Sequence, residues 1–200
     1  MSIKRICVFA ASSPGIPEIY LEHGEEMARI LSENGIEMVY GAGARGIMGR
    51  MADTMLASGG QVTGIIPGFM LEMGWARDHL THLIIVENMA QRKQLMIENV
   101  DAVIAMPGGI GTLEELTEVL TLKQLGQFTA PIIILNAEGY YTPLLDFFDH
   151  MTGLRFMRDI HQQLWEVVAT PSEVLAAISD APAWDSSAIK YAAVPGKDEV

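Results

Sequence analysis

The stretch Ala102-Val-Ile-Ala-Met-Pro-Gly-Gly-Ile-Gly-Thr-Leu-Glu-Glu-Leu116 decides the fold of this chain. Its first five residues form an apolar run typical of a buried parallel strand, and Leu113, Leu116 and Val119 then recur at helical spacing. The order is therefore strand, glycine-rich turn, helix. Glycines allow a backbone to approach a ligand closely, and the free N–H groups at the start of a helix favour an anion. We therefore predict that a phosphate group binds in this turn.

The same alternation of short apolar runs and helix-period segments extends through most of the chain. It predicts an α/β fold, a doubly wound parallel sheet of about six to seven strands covered by helices on both faces, in three layers. The predicted strands are residues 6–10, 36–40, 62–66, 83–86, 102–106 and 132–135, with a short seventh at 167–168. The predicted helices are residues 19–34, 47–58, 89–99, 112–125 and 141–151, and a further helix starts near Ser172.

Length and composition predict one domain. The chain has 200 residues, of which 50% are apolar and 19% are charged, so it has enough apolar side chains for a sizeable core. We expect residues 1–180 to form this domain. Residues 181–200 are rich in Ala, Pro, Asp, Ser and Lys, and they predict a flexible C-terminal tail.

Charge and cysteine content exclude several classes of protein. A net charge of −12 argues against a nucleic-acid-binding protein, which needs a basic surface for phosphates. The single cysteine, Cys7, lies in an apolar strand, which is consistent with a reducing, cytoplasmic location. No signal peptide or membrane span is visible, so we expect no membrane association. The histidines lack ligand spacing, so we predict no metal site.

Two adjacent carboxylates, Glu114 and Glu115, follow the predicted phosphate turn. Binding a phosphate gains nothing from negative charge, whereas a site that breaks a bond in a nucleotide can use a carboxylate. A structural explanation is also open at this point. Thr112 and Glu115 have the spacing of a capping box, in which two side chains satisfy N–H groups at a helix start.

Other turns at the carboxyl ends of the strands are candidates for the same site, because ligands of parallel sheets bind there. They are the Ser-Ser-Pro-Gly turn ending at Gly15 and the Gly41-x-Gly43-x-x-Gly46 turn. The latter has dinucleotide-motif spacing, but the acidic residue expected about twenty positions later is absent. A turn shared with a nucleotide phosphate or ribose is therefore favoured over NAD binding.

Arg92 and Lys93 open the helix that follows the fourth predicted strand. As adjacent helical residues they point in different directions, and solvated surface charges are their ordinary role. Their position at the carboxyl edge of the sheet favours a second interpretation. An arginine can hold a phosphate or a ribose through its paired N–H donors.

Arg92-Lys93, followed by Pro107-Gly-Gly-x-Gly-Thr-x-x-Glu115, resembles the paired signature of the Lonely Guy family. Its members are cytokinin riboside 5′-monophosphate phosphoribohydrolases, many of them once labelled lysine decarboxylases. The similarity extends from about residue 3 to residue 178, and it includes both earlier turns and the later motif Asn136-Ala-Glu-Gly-Tyr-Tyr141.

This resemblance implies a Rossmann-like fold, a homodimer and no cofactor. It implies hydrolysis of the N-glycosidic bond of cytokinin riboside 5′-monophosphate or AMP, giving the free base and ribose 5-phosphate. By the same resemblance Arg92 and Glu115 match the catalytic pair, and Glu115 rather than Glu114 holds the motif position. The expected substrate-binding residues, which include those of the two earlier turns, are Ser13, Gly43, Met89, Lys93, Gly108, Gly109, Ile110, Gly111, Thr112, Glu114 and Thr121.

The chain departs from the family pattern at several positions. Ala90 lies where the family commonly has histidine, and Gly74 lies where it often has a glutamate that contacts the substrate. The loss at Gly74 keeps open an alternative function, a non-catalytic nucleotide-binding or sensor module of the same fold. A lysine decarboxylase is disfavoured, because that chemistry needs a lysine-bound pyridoxal phosphate and no lysine lies in a recognisable site for it.

Overall fold

A computed structural model of the protein describes residues 3–194. Seven strands form one parallel sheet in the order β4-β3-β2-β1-β5-β6-β7. The strands are β1 (Arg5–Phe9), β2 (Glu37–Tyr40), β3 (Val62–Pro67), β4 (His82–Val86), β5 (Ala102–Ala105), β6 (Ile132–Leu135) and β7 (Glu166–Val168). Each predicted strand is present, so the predicted α/β, Rossmann-like parallel sheet is confirmed.

Helices cover both faces of the sheet. They are α1 (Glu18–Glu33), α2 (Gly46–Ala57), α3 (Gly68–Glu72), α4 (Met89–Ile97), α5 (Ile110–Gln124), α6 (Thr142–Gly153) and α7 (Val174–Asp180). Single 3₁₀ turns or short 3₁₀ helices occupy Ala137–Gly139, Asp159–Leu164, Pro171–Glu173 and Ser186–Tyr191.

Alternate residues of each central strand supply two separate cores. Ile6 and Val8 of β1 pack with α1, α2 and α7, whereas Cys7 and Phe9 of the same strand pack with α4, α5 and α6. The side chains of a strand point alternately to its two faces, so a strand covered on both sides must be apolar throughout. This explains the unbroken apolar runs in the sequence.

The strand order reverses between β1 and β5. From β1 the chain builds outward through β2, β3 and β4, and it then returns to place β5 on the other side of β1. A crevice at the carboxyl ends of the strands is expected at such a reversal, and ligands bind there. The turns that follow the two strands meet at this point, where the Ala11 N–H donates to the Pro107 carbonyl over 3.1 Å.

The structure differs from the predictions at helix ends and near the C-terminus. The short helix α3 was not predicted, and α5 begins at Ile110 rather than at Thr112. The helix start predicted near Ser172 is a 3₁₀ turn capped by Thr170, and α7 begins at Val174.

The predicted tail packs against the domain over its described part. The Trp184 indole N–H donates to the Lys123 carbonyl over 2.7 Å, the Gln124 amide donates to the Ala192 carbonyl over 2.8 Å, and Ala188 is buried. The polar composition of residues 181–200 predicted a flexible tail. Trp184 and Ala188 are apolar residues within this polar segment, and both pack against the domain. The remainder of the predicted tail, residues 195–200, lies outside the described residues.

Candidate active site

The glycine turn between β5 and α5 is open to solvent. Gly109 is the N-cap of α5, and the next side chain, Ile110, is 82% exposed. A Cβ added at Gly109 or at Gly111 would meet no described atom within 4 Å, so space for a ligand lies directly outside both residues. The first N–H groups of α5 border this space, as a phosphate site at a helix N-terminus requires.

Gly108 has a different role in the turn. A Cβ at this position would overlap the side chain of Thr112, which is buried beneath the turn. Glycine at position 108 therefore lets the turn pack closely on the first turn of α5. Among the predicted ligand-binding residues 108–112, Gly108 and Thr112 are therefore packed against each other. Gly109, Ile110 and Gly111, which lie between them, are exposed to solvent.

Glu115 lies inside α5 rather than at its cap. Gly109 caps the helix, Thr112 is its third residue, and the Glu115 side chain is one turn further on and only 6% exposed as a residue. The capping-box interpretation of Thr112 and Glu115 is therefore wrong. Burial, partly offset by the nearby Arg92 charge, raises the pKa of Glu115 to about 7. A buried carboxyl with a pKa near neutrality is typical of a functional site.

Arg92 is buried beside Glu115, and its guanidinium is held by backbone carbonyls. Its Nε donates to the Ile65 carbonyl over 3.1 Å, and its Nη2 donates to the Gly41 carbonyl over 2.8 Å. A Cβ at Gly41 would overlap this guanidinium. Its Nη1 faces the Glu115 carboxylate at 3.8 Å. The solvated-surface interpretation of Arg92 is wrong, because the side chain bridges β3, the turn after β2 and α5.

Lys93 contacts a different ridge of α5. Its ammonium forms ion pairs with Glu114 and, over 2.7 Å, with Glu118. These pairs hold α4 against α5 and raise the pKa of Lys93. The two adjacent glutamates therefore have separate environments: Glu114 is paired with a lysine at the surface, and Glu115 is buried beside an arginine.

The turns after β1 and β2 meet beside the glycine turn. Gly46 has a left-handed backbone (φ +63°), and a Cβ there would lie 2.7 Å from the Ser13 carbonyl oxygen, so glycine is required for these two turns to touch. Gly43 pairs with Ala76 of the loop after α3. The structure thus brings Ser13 and Gly43 to the same edge of the sheet as the glycine turn.

Two of the predicted substrate-binding residues, Met89 and Thr121, lie at the periphery of the candidate site. The Met89 sulfur accepts from Arg92 Nη1 at 3.8 Å, and Met89 is partly exposed at the start of α4. Thr121 is exposed about two and a half turns beyond Thr112 on α5, which places it about 14 Å along the helix from that residue at about 1.5 Å per residue. Within one protomer, Thr121 is therefore far from the glycine turn.

Ala90 and Gly74, two of the positions at which the chain departs from the family pattern, both lie near the site. Ala90 lines a cavity of about 450 Å³ between α4 and α5, together with Glu115, Ile97, Val119 and Leu122. Gly74 ends α3 with a left-handed backbone (φ +71°). The loop that follows Gly74 pairs with the second turn, where the Ala44 N–H donates to the Trp75 carbonyl over 3.0 Å.

Tyr140 and Tyr141 are neighbours of the glycine turn that were not predicted from the sequence. Their hydroxyls donate to the Gly108 and Met106 carbonyls, each over 2.7 Å. The signal was present in the motif that follows β6, since β6 and β5 are adjacent and their carboxyl ends share one edge of the sheet.

Comparisons with known proteins show the family to which the chain belongs. A family model described as "Possible lysine decarboxylase" matches residues 48–178. The cytokinin riboside 5′-monophosphate phosphoribohydrolase of Rhodococcoides fascians is 43% identical over 148 residues, 74% of this chain and 75% of that protein. The Arabidopsis thaliana enzyme LOG2, of the same name, is 38% identical over 169 residues, 84% of this chain and 78% of that protein.

Solved structures show the same fold in more distant proteins. The molybdenum cofactor carrier protein of Chlamydomonas reinhardtii superposes with a TM-score of 0.69 at 21% identity, over 90% of this chain and 98% of that protein. At this identity the likeness concerns the fold. The family match and the identity to the curated relatives over most of the chain show more: this chain belongs to the Lonely Guy (LOG) family of phosphoribohydrolases.

Proposed function

We propose that this protein is a phosphoribohydrolase that cleaves the N-glycosidic bond of cytokinin riboside 5′-monophosphate or AMP, releasing the base and ribose 5-phosphate. The observation that carries the proposal is the buried pair of Arg92 and Glu115 directly beside an open glycine turn, in a member of this family. A turn that only binds phosphate has no need for a buried carboxylate.

In the proposed mechanism the 5′-phosphate occupies the open part of the turn. The N–H groups at the start of α5 and the helix dipole favour its charge. Binding at this remote group fixes the ribose relative to Glu115, so that phosphate-binding energy is used to position the bond that breaks. Gly109 and Gly111 provide the space that the phosphate needs.

Glu115 acts on the sugar. Cleavage of a glycosidic bond passes through an oxocarbenium-like state with positive charge on the ribose. The carboxylate form of Glu115 stabilises this charge and orients or deprotonates the attacking water. Because its pKa is about 7, both the carboxylate and the carboxylic acid are populated near neutral pH.

Arg92 orients the ribose or the leaving base. Two of its nitrogens are bound to the Ile65 and Gly41 carbonyls, so the guanidinium plane is fixed before substrate arrives. Its third nitrogen, Nη1, lies 3.8 Å from both the Glu115 carboxylate and the Met89 sulfur. A donor fixed in this way does not need to reorganise during the reaction.

We also propose a homodimer in which α4 and α5 contribute to the interface. Apolar Ile97, Val119 and Leu122 line the cavity between these helices, and a second copy would cover it. An exposed Thr121 far from its own turn fits a substrate-contacting role only if the site is shared between copies. A monomer in sedimentation velocity at micromolar concentration would contradict this proposal.

The location of the protein is a separate question. Across residues 3–194, none of the helices has both the length and the apolar content that a membrane crossing demands. We propose a cytoplasmic location from the single, buried thiol.

The test of the proposed function is base release from isopentenyladenosine monophosphate and from AMP, measured in parallel. We expect the wild type to release the base and Glu115→Gln to bind the nucleotide while losing most turnover. Glu22→Gln, which removes one exposed carboxylate from α1, is the matched control and should retain turnover. Full activity in Glu115→Gln would refute its catalytic role. Binding without any base release by the wild type would favour the non-catalytic module instead.

The name of the family model raises lysine decarboxylation as a second candidate. Burial lowers the pKa of Lys123 to about 8, as a lysine that forms a Schiff base requires. However, Lys123 lies in the last turn of α5 below Trp184, at the opposite end of the helix from the glycine turn. Lys93 of α4 is held as an ammonium by two glutamates of α5. The positions of both lysines therefore favour the phosphoribohydrolase.

A further inference from the structure

The segment between β6 and α6 forms a rigid support beside the glycine turn. Glu138 and Gly139 both have left-handed backbones (φ +52° and +72°), so the chain turns sharply after β6. The Asn136 side chain accepts from the Tyr141 N–H over 2.7 Å and donates to the Thr142 hydroxyl over 3.2 Å. These bonds fix the start of α6 relative to the end of β6.

The rings of both tyrosines are held independently of their hydroxyls. Tyr140 packs edge-on against Tyr141, with ring centroids 5.0 Å apart, and edge-on against Tyr20 of α1 at 5.7 Å. Such edge-to-face pairs are the favoured arrangement of aromatic rings. Tyr141 is buried, whereas Tyr140 is 41% exposed at the edge of the crevice. Each ring therefore presents its hydroxyl from a defined position.

The two hydroxyls bind consecutive parts of the glycine turn and have different consequences there. Tyr141 binds the Met106 carbonyl, and the peptide that contains this carbonyl ends at Pro107, which has no N–H. This bond anchors the end of β5. Tyr140 binds the Gly108 carbonyl, and that peptide carries the N–H of Gly109.

A trans peptide is planar, and its C=O and N–H point in opposite directions. Holding the Gly108 oxygen on Tyr140 therefore directs the Gly109 N–H away from Tyr140. A peptide between two glycines lacks the Cβ atoms that restrict rotation, so it needs an external contact to stay in one orientation. If the peptide turned over, the Gly108 oxygen would replace the Gly109 N–H as the group that faces an anion.

We propose that Tyr140 is a positioning residue that orients the Gly108–Gly109 peptide, so that the Gly109 N–H donates to the 5′-phosphate of the nucleotide. The inference rests on the proposed function in placing a phosphate at this turn. In this proposal the affinity for phosphate depends on the Tyr140 hydroxyl, although this hydroxyl binds the Gly108 carbonyl and contacts neither the phosphate nor the reacting bond. The effect is therefore specific for ligands that carry a phosphate.

The experiment compares Tyr140→Phe with the wild type in calorimetric titrations of ribose 5-phosphate, AMP and adenosine. Phenylalanine keeps the packed ring and removes the hydroxyl. We expect about a tenfold loss of affinity for ribose 5-phosphate and AMP, the size of effect expected when one hydrogen bond to a charged group is lost, and unchanged affinity for adenosine. In turnover of AMP, KM should rise while kcat changes little. Tyr20→Phe removes a hydroxyl from the same aromatic cluster and should match the wild type.

Two results would overturn the inference. One is unchanged affinity of Tyr140→Phe for ribose 5-phosphate. The other is an equal loss of affinity for AMP and adenosine, because this would mean that the whole site is distorted. Failure of the proposed function is distinguishable from both. If the wild type releases no base but binds ribose 5-phosphate more tightly than Tyr140→Phe does, the role of Tyr140 stands and the hydrolase proposal fails.

Discussion

At the scale of single residues, Glu114 and Glu115 have the same side chain, and the fold gives them different chemistry. Glu114 lies at the surface and forms an ion pair with Lys93. Glu115 is buried, and desolvation of its carboxylate outweighs the attraction of Arg92, which raises its pKa to about 7. The folded protein therefore holds a proton on Glu115 more tightly than the unfolded chain does.

This shift predicts that Glu115→Gln stabilises the protein in a pH-dependent way. A group whose pKa is raised in the folded state contributes stability below its unfolded pKa of about 4.5, and this contribution is lost as the pH rises through about 7. The neutral glutamine avoids the cost of ionisation. The advantage of Glu115→Gln in free energy of unfolding should grow by about 2 kcal/mol between about pH 5.5 and pH 8.

Urea unfolding across this pH range measures the difference. Glu22→Gln serves as the control, because it makes the same change of side chain at an exposed position of α1, where no buried charge is relieved. A pH dependence of the Glu115→Gln advantage no larger than that of the control would show that burial does not raise the pKa of Glu115.

At the scale of elements, the first turn of α5 contains a glycine that lowers the stability of the helix. Gly111 is the second residue of this helix, and glycine in a helix costs about 0.5–1 kcal/mol relative to alanine. Space is available for a methyl group at this position. A helix selected for stability alone would have alanine there, and the proposed phosphate, which needs this space, accounts for the glycine.

We therefore predict opposite effects of Gly111→Ala on stability and on binding. The free energy of unfolding should rise by about 0.5–1 kcal/mol, because the unfolded chain loses conformational freedom. KM for the nucleotide should rise about tenfold, because the new methyl group occupies the phosphate space. Denaturant unfolding and steady-state kinetics measure the two quantities.

Gly153→Ala in α6 is the matched control, since a Cβ there also meets no described atom within 4 Å. It should give a similar gain in stability with no change in KM. If Gly111→Ala also left KM unchanged, the ligand would not lie against the first turn of α5.

At the scale of the whole molecule, the segment after α7 completes the end of the helix that carries Glu115. The last carbonyls of a helix lack partners within it. The Lys123 carbonyl accepts from the Gly126 N–H over 3.0 Å and from the Trp184 indole N–H over 2.7 Å. The Trp184 ring also lies 5.9 Å from the Lys123 ammonium. A residue distant in sequence therefore stabilises the C-terminal end of α5, while the N-terminal end of the same helix faces the crevice.

Trp184→Ala should lower the free energy of unfolding by about 2 kcal/mol, through the lost hydrogen bond and the lost packing of a half-buried ring. Ile189→Ala is the comparison within the same segment, because Ile189 is 60% exposed and its truncation should cost no more than about 0.5 kcal/mol. Equal effects of the two substitutions in urea unfolding would show that the segment does not support α5.

The sequence by itself determined the kind and order of the elements. Apolar runs and helical periods are local patterns, and they predicted all seven strands of the parallel sheet together with the turns that follow its strands. The signature that ends at Glu115 likewise pointed to the family, because its spacing is local to one turn and one helix.

The tertiary structure decided the environment of each side chain in those turns. Arg92 is fixed by the carbonyls of Gly41 and Ile65, Glu115 acquires its pKa through burial, and Tyr140 reaches the Gly108 carbonyl from the segment that follows β6. Trp184 packs on α5 in a segment whose composition predicted no fixed contacts. These contacts join residues that are far apart in sequence, and burial and hydrogen bonding at such distances exist only once the sheet has brought the strand ends together.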